Sequence, residues 1–188
     1  SDCQACVVGT WKAVNGSASC ILCASGKYSS EPAEVSEATC DDCPAHSYSA
    51  DGSNMRTNCT CHKGYSGPDG SDCQACIAGT WKALNGSSSC ILCASGKYSS
   101  ETAEISEATC DDCPAQSYSG DGSNLITNCT CHKGYSGPDG SNCTACIAGT
   151  WKAFNGSSSC ILCASGKYSS ETAEISEATC DDCPAQSY

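Results

Sequence analysis

Twenty-two of the 188 residues are cysteine, and they fall at spacings that recur along the whole chain. That density marks a disulfide scaffold rather than an ordinary globular domain. Leu, Ile, Val and Phe together number only 18, far too few to offset the entropy of ordering the backbone. Without covalent staples such a composition stays disordered. With them, closing a loop of about 15 residues removes ~3 kcal/mol of unfolded-state freedom in the chain-entropy model, and about ten such loops replace a core. The framework persists only where conditions are oxidising, so an extracellular location is expected, secreted or at the cell surface.

The cysteines repeat with a period of 70 residues: Cys3-Gln-Ala-Cys6 returns as Cys73-Gln-Ala-Cys76 and Cys143-Thr-Ala-Cys146. The period predicts a cysteine-rich repeat over 1–72, a second over 73–142 and a partial third over 143–188, in an array that continues at both ends. Residues 73–118 and 143–188 differ only at Gln74/Thr144 and Leu84/Phe154.

A finer repeat lies within each period. From Cys73 onward, the loops run from Cys76 to Cys90, Cys93 to Cys110, Cys113 to Cys129 and Cys131 to Cys143, and each places an aromatic four or five residues after its opening cysteine. All three Trp and all eight Tyr obey this rule, Tyr188 included. A ring stacked on its own loop's disulfide is the expected miniature core. Asn15-Gly16, Asn85-Gly86 and Asn155-Gly156 read as tight hairpin turns, and Gly-Pro-Asp-Gly at 67–70 and 137–140 as irregular ones. Residues 101–108 carry at most a turn or so of helix. The expected fold is small, disulfide-rich and mostly irregular, with short β-hairpins, forming an elongated tandem-repeat rod of disulfide-closed loops.

Sequence alone leaves connectivity open. One solution pairs each cysteine across its own loop: Cys6–Cys20, Cys23–Cys40, Cys43–Cys59, Cys61–Cys73, Cys76–Cys90, Cys93–Cys110, Cys113–Cys129, Cys131–Cys143, Cys146–Cys160 and Cys163–Cys180, with Cys3 and Cys183 left over. An interleaved pattern, such as Cys20–Cys40 with Cys23–Cys43, is the alternative. The run Cys-x-x-Cys-x-x-Gly-x-aromatic followed by Cys-x-Cys-x-x-Gly-Tyr resembles the ephrin-receptor-like and tumour-necrosis-factor-receptor-like cysteine-rich modules. Cys129-Thr-Cys131-His-Lys-Gly-Tyr135 is similar to the end of an epidermal-growth-factor-like (EGF-like) module. The receptor resemblance implies the local pairing, because there the first loop type is closed by its own two cysteines.

Other chemistry finds little purchase. The formal charge of -12 argues against nucleic acid and against anionic membrane surfaces. No apolar run approaches the roughly 20 residues of a membrane span, so any signal peptide or anchor is expected outside this stretch. Cys3-x2-Cys6-x13-Cys20-x2-Cys23 lies near zinc-ribbon spacing, but the Cys-x-Cys step and unbroken doublets favour disulfides. Asp111-Asp112 and Asp121-Gly-Ser-Asn124 match no full calcium loop and read as solvated turns. His46, His62 and His132 sit beside no shared nucleophile, so neither an enzyme nor a cofactor is expected.

Six Asn-x-Ser/Thr sequons, at Asn15, Asn58, Asn85, Asn128, Asn142 and Asn155, predict N-linked glycans, with Ser clusters as candidates for O-linked sugar. Apolar or changed positions between repeats, Val14/Leu84/Phe154 and Arg56/Ile126, are candidate lateral contacts. These features predict the structural repeat of an extracellular fibre, matrix filament or flagellar-hair-like appendage that associates with itself or with other matrix or surface proteins. The alternative is a receptor or adhesin ectodomain that binds a protein ligand.

Overall fold

The computed structural model describes residues 4–14 and 19–184. Among these residues the buried apolar positions are all half-cystines, from Cys6 to Cys180. Ser and Thr hydroxyls, together with Lys82 and Lys152, complete the buried set. The described tryptophans and tyrosines lie at half-buried or exposed positions. The interior is therefore built of sulfur and backbone, with the aromatic rings partly covered beside it.

Secondary structure consists of ten two-stranded antiparallel sheets and five single-turn 3-10 helices among the described residues. Each strand is two residues long, because the next cysteine turns the chain before a longer ladder can form. The local device is a turn with positive φ at its third residue. In Ala94–Lys97 the Lys97 N–H donates to the Ala94 carbonyl and Gly96 has φ +81°. His46 and Gln116 occupy the same turn position at φ 58° and 60°, a conformation that glycine adopts without strain and other residues reach at a cost of about 1–2 kcal/mol. The 3-10 turn at Glu107–Thr109 is what the helix-like stretch of sequence yields.

The chain divides into two compact units, one comprising Ser1–Ile77, Trp81–Ile91 and Thr102–Ser106, the other Ala78–Thr80, Leu92–Glu101 and Glu107–Tyr188. In the first, Thr10–Trp11 pairs with Ile21–Leu22, Lys27–Tyr28 with Asp41–Asp42, Ser47–Tyr48 with Thr60–Cys61 and Tyr65–Ser66 with Gln74–Ala75. Five disulfides close its loops: Cys6–Cys20, Cys23–Cys40, Cys43–Cys59, Cys61–Cys73 and Cys76–Cys90. Backbone bonds tie successive loops together: Gly9 N–H to Ser29 O, Gly26 N–H to Ser49 O, His62 N–H to His46 O and Gly64 N–H to Lys82 O.

The second unit repeats the scheme. Lys97–Tyr98 pairs with Asp111–Asp112, Ser117–Tyr118 with Thr130–Cys131, Tyr135–Ser136 with Thr144–Ala145, Thr150–Trp151 with Ile161–Leu162 and Lys167–Tyr168 with Asp181–Asp182. Its disulfides are Cys93–Cys110, Cys113–Cys129, Cys131–Cys143, Cys146–Cys160 and Cys163–Cys180. The same inter-loop bonds recur as Gly79 N–H to Ser99 O, Gly96 N–H to Ser119 O, His132 N–H to Gln116 O and Gly134 N–H to Lys152 O.

One turn differs from expectation. Trp151 pairs with Ile161, so Asn155-Gly156 lies inside a wide loop rather than at a two-residue hairpin. The preceding loop holds it there: Gly156 N–H donates to Cys131 O at 2.8 Å, and Asn155 Oδ1 accepts from Lys133 N–H at 2.9 Å. Bonds between neighbouring loops override the local preference of Asn-Gly. Asn85-Gly86 is held the same way by Cys61 and Lys63, while Asn15, Cys3 and Tyr188 lie outside the described residues.

Candidate interaction surface and modification sites

The sequon asparagines share one feature that their spacing does not reveal. In all five that are described, the carboxamide oxygen accepts a backbone N–H. Asn58 and Asn128 take Met55 and Leu125 at 2.9 Å, capping the 3-10 turns that follow those residues. Asn142 takes Ala115 at 3.0 Å, and Asn85 and Asn155 take Lys63 and Lys133 at 2.9 Å. All five residues are exposed. Asp72 stands where Asn142 stands one period later, and its Oδ1 accepts from Ala45 N–H at 3.0 Å. An oxygen acceptor therefore serves at each of these positions, and at 72/142 a carboxylate and a carboxamide supply it alike. The Asp72/Asn142 exchange was the signal in the sequence that pointed to this oxygen.

Two cavities lie beside the candidate contact residues. In the first unit a cleft of about 300 Å³ is walled by Trp81, Leu84, Ser88, Ser89 and Ile91. In the second a groove of about 620 Å³ is lined by Gln116, Lys133, Tyr135, Phe154, Asn155 and Ile175, with His132 and two alanines beside them. Leu84 and Phe154 are 73% and 80% exposed, and Val14 and Ile126 are exposed too. Arg56 is exposed as well, and its Nε donates to Gly70 O at 2.7 Å. The ring of His46 stacks on Tyr65 at 4.2 Å, a contact that Gln116 cannot make in the later copy of the turn.

The residue that sequence reasoning missed is the lysine after each tryptophan. Lys82 is 2% exposed, and its ammonium donates to the main-chain oxygens of Tyr65 and Gly86 at 2.7 Å and of His62 at 3.3 Å. Lys152 does the same with Tyr135, Gly156 and His132. Burial pushes both lysine pKa values below the ordinary 10.5, with Asp69 and Asp139 opposing the shift. The Trp-Lys pair at every 70th residue was the available signal. By contrast Lys97 pairs with Asp112 at 2.5 Å on the surface, which raises its pKa.

Cysteines at zinc-like spacing are committed to disulfides, Cys6 with Cys20 and Cys23 with Cys40. Among the described residues Cys183 carries the free thiol. No helix among them is long and apolar enough to cross a membrane.

Residues 1–40 match the family model described as tyrosine-protein kinase ephrin type A/B receptor-like. Comparison with curated proteins returns no match. Residues 1–40 are thus similar to an ephrin-receptor-like module, and the ten loop-closing disulfides fit tandem cysteine-rich repeats, a framework of the kind that persists in oxidising, extracellular surroundings.

Proposed function

We propose that this chain is the repeated, non-catalytic part of an extracellular fibre or cell-surface appendage, in which nearly identical modules present nearly identical surfaces for self-association. The observation that carries this reading is the repetition of the exposed apolar position at Val14, Leu84 and Phe154 on a scaffold whose loops are joined by the same bonds in each period. Identical surfaces at regular intervals meet in register, and contacts that do not close grow into filaments. The 70-residue periods, 1–72, 73–142 and the partial 143–188, are the assembly units.

Disulfides resist unravelling, while N-linked glycans at the sequons, O-linked sugar on the Ser clusters and the net charge of -12 shield the backbone. The match of residues 1–40 to a receptor-like module favours a second reading, an ectodomain that binds one protein ligand. Electron microscopy of the oxidised chain, with reduced material beside it, separates the two. Regular filaments with an axial repeat matching one period, lost on reduction, support assembly; particles that stay single at every concentration reject it and leave the ectodomain.

A further inference from the structure

The groove of the second unit combines apolar and polar walls. Phe154, Tyr135 and Ile175 supply an apolar floor, and Gln116, His132 and Lys133 supply hydrogen-bonding groups around it. That pairing suits a pyranose ring, which has apolar C–H faces and a polar rim. The volume of about 620 Å³ falls within the range of small-molecule sites. Phe154 is 80% exposed, so its ring is open to a group seated in the groove. Asn155, the next residue, opens the sequon Asn155-Gly-Ser157 and forms part of the same wall.

We propose that the groove seats the first sugar of an N-linked glycan carried by Asn155. The proposal rests on reading the chain as an extracellular glycoprotein, and a sugar seated here takes Phe154 for itself and leaves Val14 and Leu84 as the exposed apolar positions of the repeat. The hydrogen bond from Lys133 N–H to Asn155 Oδ1 at 2.9 Å fixes the carboxamide plane, and so fixes Nδ2 as well. Glycosylation leaves that bond intact. One proton leaves Nδ2, the nitrogen bonds the anomeric carbon of N-acetylglucosamine, and the lipid-linked pyrophosphate of the oligosaccharide donor departs with the electron pair of the broken C–O bond. A sugar seated here meets four disulfide-closed loops: Gln116 belongs to 113–129, Lys133 and Tyr135 to 131–143, Phe154 to 146–160 and Ile175 to 163–180. It therefore couples successive loops as well as shielding them.

The test uses the 188-residue chain secreted from a eukaryotic host, with glycans trimmed enzymatically to the first N-acetylglucosamine. Peptide mass spectrometry reads occupancy at Asn155, and NMR reads the N-acetyl methyl resonance of that sugar. The expected result is occupancy, an upfield ring-current shift and cross-relaxation to the Phe154 and Tyr135 rings. Phe154→Ala removes both NMR signatures and Phe154→Tyr restores them, with the disulfide mass unchanged in each. An unoccupied Asn155 in the oxidised chain overturns the glycan itself. An occupied Asn155 whose methyl resonates with those of the sugars at Asn58 and Asn128 overturns the seat alone.

Discussion

The ammonium of Lys82 donates to the main-chain oxygen of Tyr65 at 2.7 Å, across a disulfide-closed loop boundary. With Gly86 and His62 as further acceptors, one side chain joins the backbone of its own loop, 76–90, to that of the preceding loop, 61–73, across a boundary that no disulfide spans. Where the buried apolar residues among those described are all cysteines, a buried cation does the work that an aliphatic side chain does elsewhere.

Lys82→Met keeps most of the stem and removes the donor, leaving three carbonyls without their charged partner. A hydrogen bond to a charged group contributes about 1.5–3 kcal/mol, and orphaned acceptors add a desolvation cost. The expected loss is ~2–4 kcal/mol, read as a lower urea midpoint under non-reducing conditions. Leu84→Ala, at a position 73% exposed, is expected to stay within about 0.5 kcal/mol.

The lysines also separate by titration. Burial lowers Lys82 and Lys152 below 10.5, so between the lowered value and 10.5 the unfolded chain binds more protons than the folded one. The contribution of these groups to stability therefore rises with pH through that window. For Lys97 the Asp112 hydrogen bond raises the value. Its contribution is complete below 10.5 and is lost as pH climbs through the folded pKa. Side-chain NMR of the lysine Cε resonances is expected to show Lys82 and Lys152 titrating first and Lys97 later than an ordinary lysine.

Asn142→Asp reproduces what Asp72 does and is expected to leave stability within about 0.5 kcal/mol. Asn142→Ala removes the acceptor of the Ala115 N–H and is expected to cost about 1 kcal/mol. Denaturant midpoints of the two variants, made without glycan, distinguish a required oxygen from a merely tolerated side chain.

Two glycines with the same backbone conformation should behave differently. Gly96 has φ +81° and open space where a β-carbon would stand, so alanine there meets only the left-handed strain of about 1–2 kcal/mol. Gly79 has φ +80°, and its β-carbon would run into the Gly122 carbonyl. Backbone cannot swing aside, and an additional ~1–3 kcal/mol is expected from overpacking. The thermal midpoints of the Gly79→Ala and Gly96→Ala chains check the order.

Connectivity is testable without reduction. Trypsin cleaves after Lys27, Arg56 and Lys63, separating peptide 28–56, with Cys40 and Cys43, from peptide 57–63, with Cys59 and Cys61. The Cys43–Cys59 bond keeps the two joined. An interleaved pattern, Cys20–Cys40 with Cys23–Cys43, would bind 28–56 to the preceding peptide alone. The expected outcome is a linked product that contains both 28–56 and 57–63, together with the peptides that Cys23–Cys40 and Cys61–Cys73 attach to them.

The cysteine spacing and the scarcity of Leu, Ile, Val and Phe determined from sequence alone that this chain folds as small, disulfide-rich loops, because no other favourable term is large enough to order it. The loop lengths, the short strands and the 3-10 turn before Cys110 follow from the same spacing, since a cysteine every dozen or so residues leaves no room for longer elements. Tertiary structure decided what each polar residue does within the loops. Asn155-Gly156 has the composition of a hairpin turn, yet Cys131 and Lys133 hold it as a strap. Lys82 has the composition of a surface residue, yet it is buried among carbonyls supplied by the preceding loop. Both outcomes depend on hydrogen bonds between loops, which a pattern read within one loop does not contain.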